Sequence, residues 1–194
     1  MQSEILLKWL RFIGVVVVIA FSMIVIFLPD ETKVALVQKI ILSEPVGAGL
    51  PVRLTIPKIN VDASVESLGL ASDGTMAAPK DPADVGWYNL GPRPGEIGSA
   101  VIDGHFGWKN NTPAVFDNID TLRKGDKIYM EDGNGTIITF VVREIRTYDP
   151  TAEASEVFDS SDEKAHLNLI TCEGVWDAVS KSYSGRLVVF ADKE

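Results

Sequence analysis

The amino-acid sequence predicts a mostly-β domain, either a β-barrel or a β-sandwich, preceded by one N-terminal transmembrane helix. Residues 12–28 contain no charged side chain, which is typical of a membrane span. From Val52 onward, short apolar segments rich in Val, Leu and Ile alternate with turn signals, as strands do. Only short helical stretches lie between these segments. This pattern favours a barrel or a sandwich.

Composition and charge restrict the class of partner. The chain carries 27 acidic and 18 basic residues, a formal net charge of −9. With no Lys/Arg cluster longer than two residues, this balance argues against a nucleic-acid partner, whose phosphates would be repelled. The 194 residues suit one globular domain with an appendage. The single cysteine, Cys172, excludes an internal disulfide and leaves a free thiol or an intermolecular bridge.

An uncleaved membrane anchor is predicted at residues 12–28. These seventeen residues would form a helix of roughly 26 Å, near the lower limit for crossing a bilayer core. Lys8 and Arg11 predict that the N-terminus, residues 1–11, is cytoplasmic and that the rest is exterior. A cleaved signal peptide is the alternative, but the small residues of a cleavage site do not follow Leu28. Residues 29–50 would connect the anchor to an extracellular domain at 51–194.

The exterior domain is predicted to consist of short strands. The predicted strands are Val52–Ile56, Val61–Val65, Ser99–Asp103, Lys127–Met130, Thr136–Ile145, Leu167–Cys172 and Leu187–Ala191. Asp132-Gly133-Asn134-Gly135 is a strong hairpin signal between two of them. The predicted connections are a loop at 71–98, one or two helical turns at Val115–Leu122, and a loop or short helix at Asp149–His166.

The last two predicted strands bring a thiol and a positive charge together. Cys172 ends one apolar run and Arg186 begins the next, with a polar loop, Glu173–Gly185, between them. If the runs pair as antiparallel strands, Cys172 and Arg186 face each other at the mouth of the loop. A structural core cysteine is the competing interpretation, but at a strand end the thiol can face solvent. A nucleophilic thiol also needs a proton partner, usually histidine.

The positions of the two histidines favour His105 as that partner. His166 lies six residues before Cys172 on the same extended segment, which separates them by about 20 Å. His105 follows a different strand, after Gly104, which we expect to allow a sharp turn. His166 is then expected to be a solvated loop residue. Arg186 is placed either to stabilise an oxyanion or to pair with a surface carboxylate.

Neither a metal nor a cofactor is predicted. One cysteine and two separated histidines do not form a zinc ligand set. The sequence contains no EF-hand loop, which leaves calcium binding by scattered carboxylates an open question.

Several motifs share their order and spacing with one known family. Leu169–Cys172 with Arg186 fourteen residues later, Ala100–His105 and Leu54–Ile59 resemble motifs of the sortases. These are membrane-anchored cysteine transpeptidases of mainly Gram-positive bacteria. Further segments resemble class F: Gly86-Trp87-Tyr88, Gly91–Gly95, and Trp176-Asp177 with Tyr183 and Arg186. The resemblance spans roughly Pro51 to Ala191.

The resemblance implies an eight-stranded β-barrel with short helices and a Cys-His-Arg site. Cys172 would attack the Thr–Gly amide of an LPxTG-like sorting signal on an exported protein and form a thioacyl intermediate. Protonated His105 would donate to the leaving amine, and Arg186 would hold the substrate carbonyl or oxyanion. Thr171 and Trp176 would contact the substrate, and the acidic segment Asp149–His166 would flank it. An amine acceptor, a cell-wall precursor or a pilin lysine, would resolve the intermediate at the outer face of the cell membrane.

Two residues depart from the family pattern. Asp103 stands where alanine is frequent, and Glu173 stands where class F members commonly have glycine. A carboxylate beside the thiol would raise the pKa of Cys172, although we expect Glu173 to point to the opposite face.

Two other functions stay open. One is a non-catalytic membrane-tethered barrel that binds peptide or wall material, and the other is a hydrolytic cysteine peptidase of the same fold.

Overall fold

The computed structural model describes residues 48–179 and 182–194. The predicted anchor at 12–28, the cytoplasmic segment 1–11 and most of the connector 29–50 lie outside these residues. Within the described part of the chain, the helices are too short or too polar to cross a bilayer.

Strands form most of the regular structure of the described residues. The strands are β1 (Pro51–Ile56), β2 (Val61–Leu68), β3 (Val85–Tyr88), β4 (Gly98–Gly104), β5 (Lys127–Asp132), β6 (Ile137–Tyr148), β7 (Ala165–Asp177) and β8 (Ser182–Lys193). They close into a barrel in the order β1-β2-β3-β4-β7-β8-β6-β5. Neighbouring strands are antiparallel except for two parallel pairs, β2 with β3 and β4 with β7. The eight-stranded barrel is therefore confirmed, and the alternative of a sandwich is excluded.

The alternation of side chains along β7 separates the barrel core from the outer face. Leu167 and Leu169 point inward and are fully buried in the main core. Burial of each leucine contributes about 2 kcal/mol of hydrophobic stabilisation. Ile170, on the opposite side of the strand, packs in a second cluster outside the barrel. Because the side-chain period of a strand is two, Cys172 also belongs to the outer face.

The outer cluster fixes the β6–β7 connection against the face that carries Cys172. Val101 of β4 and Phe190 of β8 pack there with Val157, which lies in a 3-10 helix at Ser155–Val157. Asn168 of β7 donates a hydrogen bond from Nδ2 to the carbonyl of Val157 at 2.6 Å. The predicted loop or short helix at Asp149–His166 is thus a loop with one helical turn, held on the strands below it.

The hairpin predicted at Asp132–Gly135 joins β5 and β6, as expected. The buried carboxylate of Asp132 accepts hydrogen bonds at 2.9 Å from the backbone N–H groups of Asn134, Thr136 and Gly49. These donors hold the pKa of Asp132 below its ordinary value, because they stabilise the charged form.

Two of the predicted loops are partly strand. The four-residue strand β3 lies within the segment 71–98, where the surrounding Gly, Pro and Asp residues mask its apolar pattern. The loop predicted at Glu173–Gly185 is largely paired strand, with a register shift between Glu173 and Trp176. In addition, Val115–Leu122 contains one short helical turn, a 3-10 helix at Ile119–Thr121.

His166 is not the solvated loop residue that was expected. It lies in β7 with only 4% of its surface exposed. Its Nδ1 is 2.8 Å from Oδ1 of Asp192, and its Nε2 is 2.8 Å from Oδ1 of Asp162. The sequence-based expectation failed because both ring nitrogens find carboxylates, one on β8 and one in the preceding loop, which allow the ring to be buried.

Candidate active site

Three neighbouring strands of the barrel, β4, β7 and β8, position the predicted site residues. In the antiparallel pair β7–β8, Cys172 lies directly across from Arg186, as the sequence predicted. In the parallel pair β4–β7, Asp103 lies opposite Ile170, which brings His105, two residues further on, level with Cys172. The sheet thereby brings a thiol, an imidazole and a guanidinium to one edge of the outer face.

The three side chains line one open cavity of about 740 Å³. The rest of its wall is mainly aromatic and comes from Phe106, Trp108, Trp176 and Tyr183. The ring of Tyr183 makes edge contacts with Trp176 at 5.2 Å and with Phe106 at 5.7 Å between centroids. Trp176, with 51% of its surface exposed, therefore lines the same cavity as the thiol, where an extended peptide can reach it.

The electrostatic environment of Cys172 combines opposing effects. Burial raises the pKa of the thiol, the positive charge of Arg186 lowers it, and the carboxylate of Asp103 raises it. Glu173 turns to β6, where its Oε2 accepts a hydrogen bond from Oγ1 of Thr147 at 2.7 Å. The carboxylate that acts on the thiol is thus Asp103 rather than the neighbour in sequence.

A backbone carbonyl orients the ring of His105. Its Nε2 lies 2.7 Å from the carbonyl oxygen of Pro79. Because a carbonyl can only accept, Nε2 carries the proton, and Nδ1 is left for proton exchange. The ring also packs on Trp108, with 4.5 Å between centroids. No sequence signal reveals Pro79, since it lies 26 residues from His105 in a segment dense in turn residues.

Thr171 joins the two strands that carry the cysteine and the histidine. Only 1% of its surface is exposed, and its hydroxyl donates a hydrogen bond to the carbonyl of Gly104 at 2.7 Å. Its side chain belongs to the inner face of β7, opposite to Cys172. The hydroxyl predicted to contact substrate is therefore engaged by β4, and its position supports an orienting role.

Gly104 is a glycine because of close packing rather than because of a sharp turn. It lies within β4, and a Cβ at this position would collide with the ring of Phe116 and lie 2.9 Å from Cγ1 of Val115. The backbone N–H of Phe116 also donates to the carbonyl of His105 at 3.0 Å. The loop after His105 thus packs on the strand end. Asp117 strengthens this packing by accepting hydrogen bonds from the N–H groups of Gly107 and Ala114.

The guanidinium of Arg186 is held at the mouth of the β7–β8 hairpin. Its Nη1 donates to the carbonyl of Gly185 at 2.9 Å and to that of Tyr183 at 3.4 Å. These contacts use one of its nitrogens and keep the partly buried charge beside Cys172.

As for metals, no three His, Cys, Asp or Glu side chains lie close enough to hold an ion within residues 48–179 and 182–194.

A closed β-barrel that presents cysteine, histidine and arginine side chains on one open cavity carries the groups that cysteine-based acyl transfer needs. Comparison with protein families makes this specific, because the sortase domain matches residues 54–194. The chain belongs to the sortase family.

Solved structures of sortases share the fold. Sortase C-1 from Actinomyces oris is 26% identical, with a TM-score of 0.57 over 74% of this chain and 74% of that one. Sortase C1 from Streptococcus agalactiae, in complex with MTSET, is 25% identical, with a TM-score of 0.59 over 74% and 66%. Sortase A from Corynebacterium diphtheriae, at 24% identity, has the same fold with a TM-score of 0.57 over 76% and 61%. A comparison with the curated proteins found no match.

Proposed function

We propose that this protein is a cysteine transpeptidase that cleaves an LPxTG-like sorting signal at the Thr–Gly bond and transfers the acyl part to an amine. The observation that carries the proposal is the placement of Cys172, His105 and Arg186 on one open cavity. Membership of the sortase family supports the same reaction.

In the first step, the thiolate of Cys172 attacks the threonine carbonyl carbon. Because burial raises the pKa of Cys172, the thiolate is a minor species at neutral pH, and Arg186 favours its formation. Arg186 also stabilises the oxyanion that develops on the carbonyl oxygen. The C–N bond then breaks, and the glycine amine leaves with a proton from Nδ1 of protonated His105. The Nε2–H group of the same ring keeps its hydrogen bond to the carbonyl oxygen of Pro79. A thioester of Cys172 remains.

In the second step, an incoming amine attacks the thioester carbonyl and gives a proton to His105. The carbon–sulfur bond breaks, a new amide forms, and Cys172 leaves as the thiolate. Water in place of the amine would give hydrolysis. The cavity wall, formed largely by Phe106, Trp108, Trp176 and Tyr183, offers apolar surface on which a peptide can pack.

The setting of the reaction follows from the N-terminal sequence. We propose that residues 12–28 anchor the protein in the cell membrane, with residues 1–11 in the cytoplasm and the barrel outside. Exported proteins with sorting signals would meet the barrel there, and a cell-wall precursor or a pilin lysine would supply the amine.

The segments Gly86–Tyr88 and Gly91–Gly95 support assignment to class F. They meet in the fold, because the indole Nε1 of Trp87 donates to the carbonyl of Pro92 at 3.0 Å.

The test uses the full-length chain in detergent, a quenched LPxTG-type peptide and triglycine as acceptor. Wild type, Cys172→Ala, His105→Ala and Arg186→Ala are compared, and products are identified by mass. We expect wild type to release the fragment after threonine and to ligate triglycine to the acyl part. Each variant should lose at least a hundredfold in rate, because nucleophile, proton donor and oxyanion stabiliser act in the same steps.

Other outcomes separate the alternatives. A purely hydrolysed product, formed at a rate that triglycine does not change, would indicate a cysteine peptidase. Binding of the peptide without cleavage, unchanged in Cys172→Ala, would indicate a binding module and contradict the proposal.

A further inference from the structure

Asp103 is a titratable side chain that lies next to the proposed nucleophile but has no part in the steps above. It is the penultimate residue of β4 and is paired with Ile170 of β7, two residues before Cys172. In β4 the side chains of Ala100 and Ile102 point inward and fill the barrel core. By the same alternation, Asp103 lies on the outer face, together with Cys172 and Arg186.

The surroundings of Asp103 leave its carboxyl poorly solvated. On the β3 side it is paired with Gly86, which has no side chain, and Leu68 and Pro79 pack over that glycine. On the β7 side its partner is the apolar Ile170. The backbone N–H of Gly104 favours the charged form of the carboxyl and acts to lower its pKa. The charged or titratable groups around it are Cys172 of β7, Arg186 of β8 and His105 at the end of its own strand.

We propose that Asp103 is a positioning residue that controls the proposed nucleophile, because its negative charge opposes the Cys172 thiolate and offsets the field of Arg186. The inference rests on the proposed role of Cys172 as nucleophile. A charge on Asp103 disfavours the thiolate and competes for the guanidinium. Loss of that charge by protonation leaves Arg186 to act on the thiol alone. The charge on Asp103 thus limits how far the thiolate population of Cys172 rises with pH, and this restraint is absent at low pH.

The titration of Asp103 falls within the physiological pH range. Burial raises the pKa of Asp103 to about 7, although the Gly104 N–H and the charge of Arg186 act in the opposite direction. Between about pH 6 and pH 8 the carboxyl therefore changes from mostly neutral to mostly charged. The interaction with Cys172 is mutual, so the two groups titrate as a coupled pair.

Alkylation of the thiol tests the inference without any peptide substrate. Since Cys172 is the only cysteine of the chain, iodoacetamide reports on this residue alone. Its thiolate forms the carbon–sulfur bond, and iodide leaves. Rates for the full-length chain in detergent are followed by intact mass from pH 5.5 to 9 for wild type, Asp103→Asn and Asp103→Ala. Asp103→Glu, which keeps the charge, tests for rescue.

We expect Asp103→Asn to react about fivefold faster than wild type above pH 8 and at the same rate below pH 6. Asp103→Ala should follow Asp103→Asn, and Asp103→Glu should remain close to wild type. Glu173→Gln is the matched control, because this carboxylate is the sequence neighbour of Cys172 but is bound to Thr147. Its profile should coincide with that of wild type.

A ratio between Asp103→Asn and wild type that is constant with pH would overturn the inference, as would a slower reaction of the variant at pH 8. The outcome is independent of the proposed reaction. If wild type does not cleave any sorting peptide, the proposed function fails, while the alkylation profiles still decide the role of Asp103.

Discussion

At the scale of single residues, the hydroxyl of Thr171 aligns the strand that carries the cysteine with the strand that carries the histidine. It is buried and donates to the carbonyl of Gly104, one residue before His105. Both partners lie one position from a proposed catalytic residue. A small shift of β4 along β7 would therefore move His105 relative to Cys172.

Replacement of Thr171 tests this role. Thr171→Val keeps the shape of the side chain but leaves the Gly104 carbonyl without its donor, so we expect a loss of about 1–2 kcal/mol in the free energy of unfolding. We also expect about a tenfold loss of kcat with little change of KM. Urea unfolding and peptide kinetics measure the two effects. Thr171→Ser, which retains the hydroxyl, should stay near wild type in both. A change of KM alone in Thr171→Val would indicate direct substrate contact.

The sequence predicted these residues unevenly for a physical reason. Cys172 and Arg186 could be placed opposite each other because a short antiparallel pair has a simple register. His105 followed by elimination, since His166 is too far along the same strand. The contacts of His105 with Pro79 and of His166 with Asp162 could not be predicted, because they depend on loop conformations that no local pattern encodes. The pairing of His166 with Asp192 belongs to the same register as that of Cys172 with Arg186.

At the scale of elements, the β7–β8 hairpin extends the sheet into an aromatic wall for the cavity. Trp176 is paired with Tyr183 across the hairpin, and their rings meet edge to face. The sequence predicted a loop here because Gly, Ser and charged residues outnumber apolar ones in the segment. Cross-strand pairing and ring contacts outweigh this weak local preference for strand.

Truncation of the wall should weaken substrate binding more than catalysis. We expect Trp176→Ala to raise KM for an LPxTG-type peptide about fivefold and to change kcat less than twofold, because the ring lines the cavity without contributing a proton or a charge. Val175→Ala is the matched control. Val175 is the adjacent residue, is 76% exposed, and does not line the cavity. Equal effects of the two substitutions would show that the hairpin acts as a whole rather than through the indole.

At the scale of the whole molecule, closure of the barrel joins residues that are far apart in sequence. The parallel pairing of β4 with β7 brings His105 level with Cys172, although 67 residues separate Gly104 from Thr171. Alternating apolar segments indicated a barrel or a sandwich but could not fix the strand order. The motif resemblance implied an eight-stranded barrel, which the structure confirms, and the strand order comes from the structure. The presence of β3 and the full length of β7 and β8 could not be predicted, because these strands are stabilised by pairing with distant parts of the chain.

The pH dependence of global stability should reflect the cost of a charged Asp103. Its pKa is about 7 in the folded chain against an ordinary value of 3.8, so the folded state holds this proton more tightly. Between these values the contribution of Asp103 becomes more destabilising as the pH rises, and it is fully destabilising above about pH 7. Asp103→Asn should therefore be more stable than wild type by about 2 kcal/mol at pH 8 and nearly equal at pH 4. Urea unfolding at both values measures this. A difference that is the same at pH 4 and pH 8 would contradict the assignment.

The most direct test of the central claim is the mass of the intact protein during turnover. The full-length chain is mixed with an LPxTG-type peptide without an acceptor, quenched in acid and digested to locate any adduct. We predict an increase equal to the acyl fragment that ends in threonine, attached to Cys172 and discharged as a ligated product when triglycine is added. Cleavage without any adduct on Cys172, or cleavage that persists in Cys172→Ala, would contradict the assignment of this thiol as the nucleophile.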